Sequence, residues 1–196
     1  LLVYFKGKWR IKMSKAASSR TPRSLFLLIA IILGAMYYYA AFVAFDNPEN
    51  SVRNFYQAYF AEDFNQAAQN VSVFWSAQFL PQYMSLEPQQ LIANRSAIER
   101  DTAIVLEGFR KNDPVPEGME LEIMSAYTKK SDRAAVVAYK FVRAGQPPGY
   151  QAAILIKEKY SYLIYTTTPI AESNLKELDK VDLKALNNNF KQLLGK

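Results

Sequence analysis

The stretch 46-DNPENSVRNFYQAYFAEDFNQAAQNVS-72 decides the fold, because two helical stripes meet in it around an acidic turn. Asn47 is placed to cap a helix, Pro48 suits its first position, and Glu49 lies at the positive end of its dipole. Val52, Phe55, Tyr56 and Tyr59 recur at the spacing that puts apolar side chains on one helical face. After the turn Ala61–Glu62–Asp63, with Asp63 as a second cap, Phe64, Ala67, Ala68 and Val71 repeat that spacing. Two short helices joined by a tight turn are predicted, rather than one rod.

Working toward the C-terminus, VSVFWSAQFLPQYM predicts a short helix ending near Pro81. A longer helix is expected from Ser85 to about Lys111, with Leu91, Ile98, Val105 and Phe109 on one side, interrupted by Arg95 and Thr102. The loop KNDPVPEG then changes the period from helical to alternating. MELEIMSAY, RAAVVAYKFV, YQAAILIK and YSYLIYTTT read as four strands of an antiparallel meander, with KKSD and EK as turns. RAAVVAYKFV is apolar on both faces and is expected to be central. Residues 173–196 read as a C-terminal helix capped by Ser173, with Leu183, Leu186, Phe190, Leu193 and Leu194 on one face and a break at Asp179 or Asp182. Helices first and strands later predict an α+β fold, with helices laid on a curved antiparallel sheet. The sequons at Asn70 and Asn94 are expected on helices and are read as chance.

Working toward the N-terminus, residues 25–45 carry no charge, and 11 of these 21 are Leu, Ile, Phe or Val. A helix of that length would span ~30 Å, the thickness of a bilayer's hydrocarbon. Its apolar run is too long for a cleaved signal, and bulky residues stand where a cleavage site needs small ones, so an uncleaved transmembrane helix from Leu25 to Phe45 is predicted. Residues 1–24 contain seven Lys or Arg and no acid, which keeps that end in the cytoplasm and sends the C-terminal part across the membrane. Met13 opens a plausible start, so residues 1–12 are read as an upstream extension. The expected organisation is therefore a basic cytoplasmic segment (1–24), a single-pass membrane helix (25–45), an extracytoplasmic α+β domain (46–172) and a C-terminal helix (173–196).

The net charge of +6 is a topology signal, since the chain beyond residue 24 has 17 bases against 18 acids. It is not the footprint of a nucleic-acid binder, and no nucleic-acid partner is expected. There is no Cys and no His, which removes disulfides, the commonest metal ligand and the commonest general base together. No metal and no cofactor are expected.

The segment NSVRNFYQAYFAEDFNQAAQNVS resembles the opening of nuclear transport factor two-like (SnoaL-like, cystatin-like) domains: an amphipathic helix ending in aromatics, an acidic turn, then a second helix of the form D-F-x-x-A. Phe55, Tyr56, Tyr59, Asp63, Phe64, Ala67 and Ala68 fill those places, and the resemblance covers roughly residues 48–168. It implies a cone of helices packed on a curved sheet, here with an extra C-terminal helix. Some domains of this type stand outside the bacterial membrane behind one N-terminal anchor.

Three functions follow from that resemblance. An enzyme needs an acid or base inside the cone. Residues 134–156 and 160–168 carry no Asp or Glu, Glu120 and Glu122 alternate with apolar residues, and Lys140 is expected to snorkel outward. A carrier of a small apolar ligand would line the cone with Tyr59, Phe74, Trp75, Tyr139 and Tyr165, all of which also suit plain core. A non-enzymatic protein-interaction or envelope-assembly module, pairing as a homodimer through the open sheet face or with other envelope proteins, is the expectation preferred here. Its other partner is the lipid bilayer, through residues 25–45.

Overall fold

The structure, a computed structural model, describes residues 23–38 and 47–195, which divide near Tyr37 into two units. The first is a helix, α1 (Arg23–Tyr38), and every side chain from Leu25 to Tyr38 is exposed. Its 16 residues rise ~24 Å, short of the span expected for 25–45. Among the described residues no helix is long and apolar enough to cross a membrane. Residues 39–45, including the expected end Phe45, lie outside the described residues, as does the basic segment 1–22.

The second unit is α+β with a mostly antiparallel sheet, built as the local signals dictate. Helix α2 (Pro48–Phe60) starts at Asn47, whose side chain accepts from the Glu49 N–H at 3.0 Å. Helix α3 (Phe64–Ala68) starts at Asp63, which accepts from the Gln66 N–H at 3.0 Å. The turn between them needs a left-handed residue, Glu62 (φ 60°). Helix α4 (Val73–Ser76) is capped by Ser72 and gives way to a 3-10 turn at Pro81–Tyr83.

The single long helix expected from Ser85 is two helices. Pro88 fixes the first position of α5 (Pro88–Ala93), capped by Glu87 with Gln90 in a reciprocal pair. After a joint at Asn94 comes α6 (Arg95–Asn112). Its buried face is Ile98, Thr102, Ala103 and Leu106. Thr102, expected to interrupt the apolar face, is buried by giving its hydroxyl to the Ile98 carbonyl at 2.6 Å. Phe109, expected to be buried, is exposed. Neither sequon asparagine lies within a helix: Asn70 is in the turn after α3, and Asn94 is the joint before α6.

Strands β1 (Glu120–Ile123), β3 (Ala134–Val142), β4 (Gly149–Glu158) and β5 (Ser161–Pro169) pair in that order, all antiparallel. The strand expected over MELEIMSAY ends at Ile123, where a 3-10 turn at Ser125–Tyr127 stops it, and β2 (Lys129–Lys130), in the stretch KKSD expected as a turn, shares an edge of β3 with β1. Central β3 alternates Ala135, Val137 and Tyr139 on one face with Ala134, Val136 and Ala138 on the other, and all six are buried. The first face packs with α2, α3 and α6, the second with α4, α5 and the C-terminal segment.

The C-terminal segment breaks at Asp182, one of the two expected places, but Ser173, expected to cap it, lies inside the first turn and caps nothing. Glu172–Lys180 is 3-10, and α7 (Leu183–Leu193) begins at Asp182, which accepts from the Ala185 N–H at 2.9 Å. Gly195 (φ +68°) closes α7 in a conformation that favours glycine. Phe190 packs on Tyr165, ring centroids 5.0 Å apart, and buried Asn187 accepts from the Arg133 N–H at 2.7 Å. The second face of the sheet is thus covered by the chain itself.

Truncating Phe190 to Ala should leave a cavity between α7 and the sheet. We expect a loss of ~3–5 kcal/mol, read by urea denaturation. A loss under ~1 kcal/mol would mean that α7 does not contribute to the core.

Candidate functional site

Between α2 and the sheet, aromatic side chains fill the interior. Tyr56 lies 5.3 Å from Tyr139 and 4.9 Å from Phe141, centroid to centroid, and Phe55 meets Tyr56 edge-on at 4.9 Å. The Tyr139 hydroxyl donates to Gln151 Oε1 at 2.8 Å, so Tyr56, 2.8 Å away, donates to Tyr139. Burial pushes the Tyr56 phenol up to about 12, and it raises Tyr139 as well. Both are therefore neutral hydrogen-bonding groups at physiological pH, and their rings occupy the space an apolar guest would need.

The five residues expected to line one pocket do not meet. Tyr139 and Tyr59 share the first core, where Tyr59 stacks on Phe55 at 5.9 Å. Trp75 borders that core and packs on Phe79 at 4.7 Å. Phe74 and Tyr165 belong to the second core, across the sheet. The reason is local. Phe74 and Trp75 are neighbours on α4, so they diverge by about 100°. Tyr165 is the extra residue of a bulge, since Ile154 pairs with Thr166 and Leu155 with Ile164.

Other candidate acids and bases are tied to structural partners. Lys140 pairs with Glu122 across the strands at 3.1 Å, as their register dictates. Glu62 faces Arg110 at 3.4 Å, and Asp63 caps α3.

A different place gathers polar groups at high density. A cleft of about 510 Å³ opens beside α2, α3 and the β4–β5 turn. Six carboxamides line it: Asn47, Asn50 and Asn54 from α2 and its cap, and Gln66, Gln69 and Asn70 from α3 and its turn. Both sets recur at helical spacing, opposite the apolar stripes. That signal is present in the sequence but escapes a search for apolar faces and charged groups.

At the cleft lies Glu158, expected in a turn and found buried at the end of β4. Ser72 Oγ donates to it at 2.6 Å, and Arg95 Nη2 donates to its other oxygen. Arg95 also holds Glu99 at 3.0 Å. The carboxylate is thus satisfied by a hydroxyl and a guanidinium, as a buried charge requires. The turn itself is Lys159–Tyr160, with Lys159 left-handed (φ 52°) and Tyr160 78% exposed. Lys159 adds one cation to a lining otherwise balanced between Arg95 and Glu158. The arrangement can offer paired donors and acceptors to an uncharged polar guest. Among the described residues no three His, Cys, Asp or Glu side chains converge as a metal site would require.

Replacing Glu158 with Ala should leave the Ser72 hydroxyl without its acceptor and Arg95 with Glu99 alone, at a cost of ~1–3 kcal/mol, whereas replacing Glu158 and Arg95 together with Met should recover most of it. Parallel urea denaturation curves decide this, and equal losses in the two variants would refute the ion-pair account. Alkaline titration is a second check. Tyr56 has a folded pKa raised above its ordinary 10.0, so its contribution to stability is full below pH 10 and is lost as pH rises through about 12. Tyrosinate absorbance from the buried pair should therefore rise together with unfolding in that window, not before it. Compared with known proteins, the chain matches no protein-family model and no curated protein.

Proposed function

We propose that the protein is a single-pass membrane-anchored, non-enzymatic binding module, held outside the cytoplasm and engaging an envelope component through its polar cleft. The observation that carries the binding reading is the convergence of six carboxamides on one cleft of about 510 Å³, within the ~300–1,000 Å³ range of ligand sites. The non-enzymatic reading is supported by the structural duties of Glu62, Asp63, Glu122, Lys140 and Glu158. None of these carboxylates or amines stands free toward a guest in the geometry that general acid–base work needs.

The anchoring part rests on the uncharged run 25–45 behind a basic segment without acids. It takes the uncharged run 25–45 as the segment that crosses the bilayer. The order of helices and antiparallel strands is compatible with a nuclear transport factor two-like cone, and that finer reading of the fold goes with this proposal. The carrier alternative has less support, because Tyr56, Tyr139 and Phe141 pack on one another where an apolar guest would sit. A homodimer through the second sheet face is not part of the proposal, since Val136, Ala138 and Ala152 on that face are buried within the chain.

The absence of Cys gives a clean topology test. Ser173→Cys should react with a membrane-impermeant maleimide in intact cells or spheroplasts, while Ser14→Cys should react only after permeabilisation. Both chains should stay in the membrane after alkaline carbonate washing. Reversed labelling, or release into the wash, would refute the anchored, outward-facing topology.

A further inference from the structure

We propose that the cleft between α2, α3 and the β4–β5 turn binds an uncharged carbohydrate chain, with the carboxamides pairing its hydroxyls and Tyr160 stacking on a sugar ring. This rests on the reading of the cleft as a binding site and names the class of ligand it takes.

The chemistry of the lining selects the class. A carboxamide presents a donor and an acceptor side by side, and vicinal sugar hydroxyls present the complementary pair. The carboxamides of Asn54, Gln66 and Gln69 make no hydrogen bond among the described residues, so their donors and acceptors are available. Asn47 and Asn70 are each held by one internal bond, Asn47 through its oxygen and Asn70 through its nitrogen, which fixes their orientation and leaves the other end of each amide to face a guest. Ser161 adds a hydroxyl to the same lining.

Charge argues for neutrality of the guest. Arg95 is engaged by Glu158 and Glu99, which among the described residues leaves Lys159 as the one uncompensated ion of the lining. A polyanion such as nucleic acid or polyphosphate would need several free cations. Among the lining residues only Leu163 and Tyr160 bring an apolar side chain or ring, and the hydrogen-bonding groups of the others favour a guest that carries hydroxyls over a lipid chain.

The turn supplies the remaining element. A two-residue hairpin turn with a left-handed first central residue favours Gly at that position. Here the turn is Lys159–Tyr160, with a non-glycine residue at φ 52° and a tyrosine 78% exposed at the rim of the cleft. Lys159 is not what a left-handed position prefers, and the exposed Tyr160 gains nothing from burial in the free protein. A flat ring beside a wall of amides is the arrangement that covers the apolar face of a pyranose while its hydroxyls are bonded at the edge.

The test uses the full chain purified in a detergent without a sugar headgroup. Cellotetraose, chitotetraose and maltotetraose are titrated by calorimetry and by saturation-transfer NMR, beside tetraglycine and polyphosphate. At least one neutral tetrasaccharide should bind. Tyr160→Ala should weaken that binding about tenfold and Gln69→Ala about three- to tenfold, while Tyr160→Phe should preserve it. Both positions are exposed, so the variants should unfold as the parent does. The proposal is overturned if no tetrasaccharide binds, or if neither alanine variant alters the affinity. Gln69-dependent binding of tetraglycine or polyphosphate alone would overturn the carbohydrate assignment and leave the binding-cleft reading standing. No Gln69-dependent binding of any probe would remove the support for both. Cleavage of a bound sugar over time would uphold the ligand class and refute the non-enzymatic reading.

Discussion

Strand β3 must be covered on both sides, and the rest of the molecule follows from that constraint. From Ala134 to Tyr139 it carries apolar or aromatic side chains without interruption, and all six are buried. A half-covered sheet would leave one apolar row in water, at roughly 25 cal/mol per Å² of exposed surface. Helices α2 and α3 supply one cover. The second comes from α4, α5 and, after the last strand, α7. The C-terminal helix is therefore part of the core: Phe190 and Leu194 are buried in it, and Asn187 bonds the backbone at the start of β3.

Covering both faces of the central strand leaves the exposed surface of the sheet at its edges and ends, where the polar chemistry lies. The bulge at Tyr165 and the parallel bridge between Val71 and Ile164 bring the α3–α4 link against β5. Ser72 then reaches Glu158, and Arg95 reaches the same carboxylate from the start of α6. Three segments are locked together by one buried charge. The lock is directional, since a carboxylate accepts from defined donors whereas apolar contacts tolerate sliding. It fixes the β4–β5 turn next to α2 and α3, and so fixes the walls of the cleft. The filled aromatic interior and the open polar cleft are thus complementary: the fold spends its rings on packing and keeps its amides at the rim.

The sequence by itself determined the local grammar. Caps at Asn47 and Asp63, the paired stripes of α2 and α3, the two-sided pattern of β3 and the break in the C-terminal segment are written in adjacent residues, and each was legible because its cause acts within a few positions. It also carried the charge asymmetry on which the topology proposal rests. The tertiary structure decided what distant residues do together. Glu158 lies 86 positions from Ser72 and 63 from Arg95, so no periodicity could reveal that it is buried or what neutralises it. The aromatic residues expected in one pocket were divided between two cores by a one-residue bulge and a one-residue step on a short helix. The carboxamide stripes were visible as spacing, but only packing brought them to one cleft. Periodicity reports which way a side chain faces; what it faces is set by loop closure and core packing, which couple residues far apart along the chain.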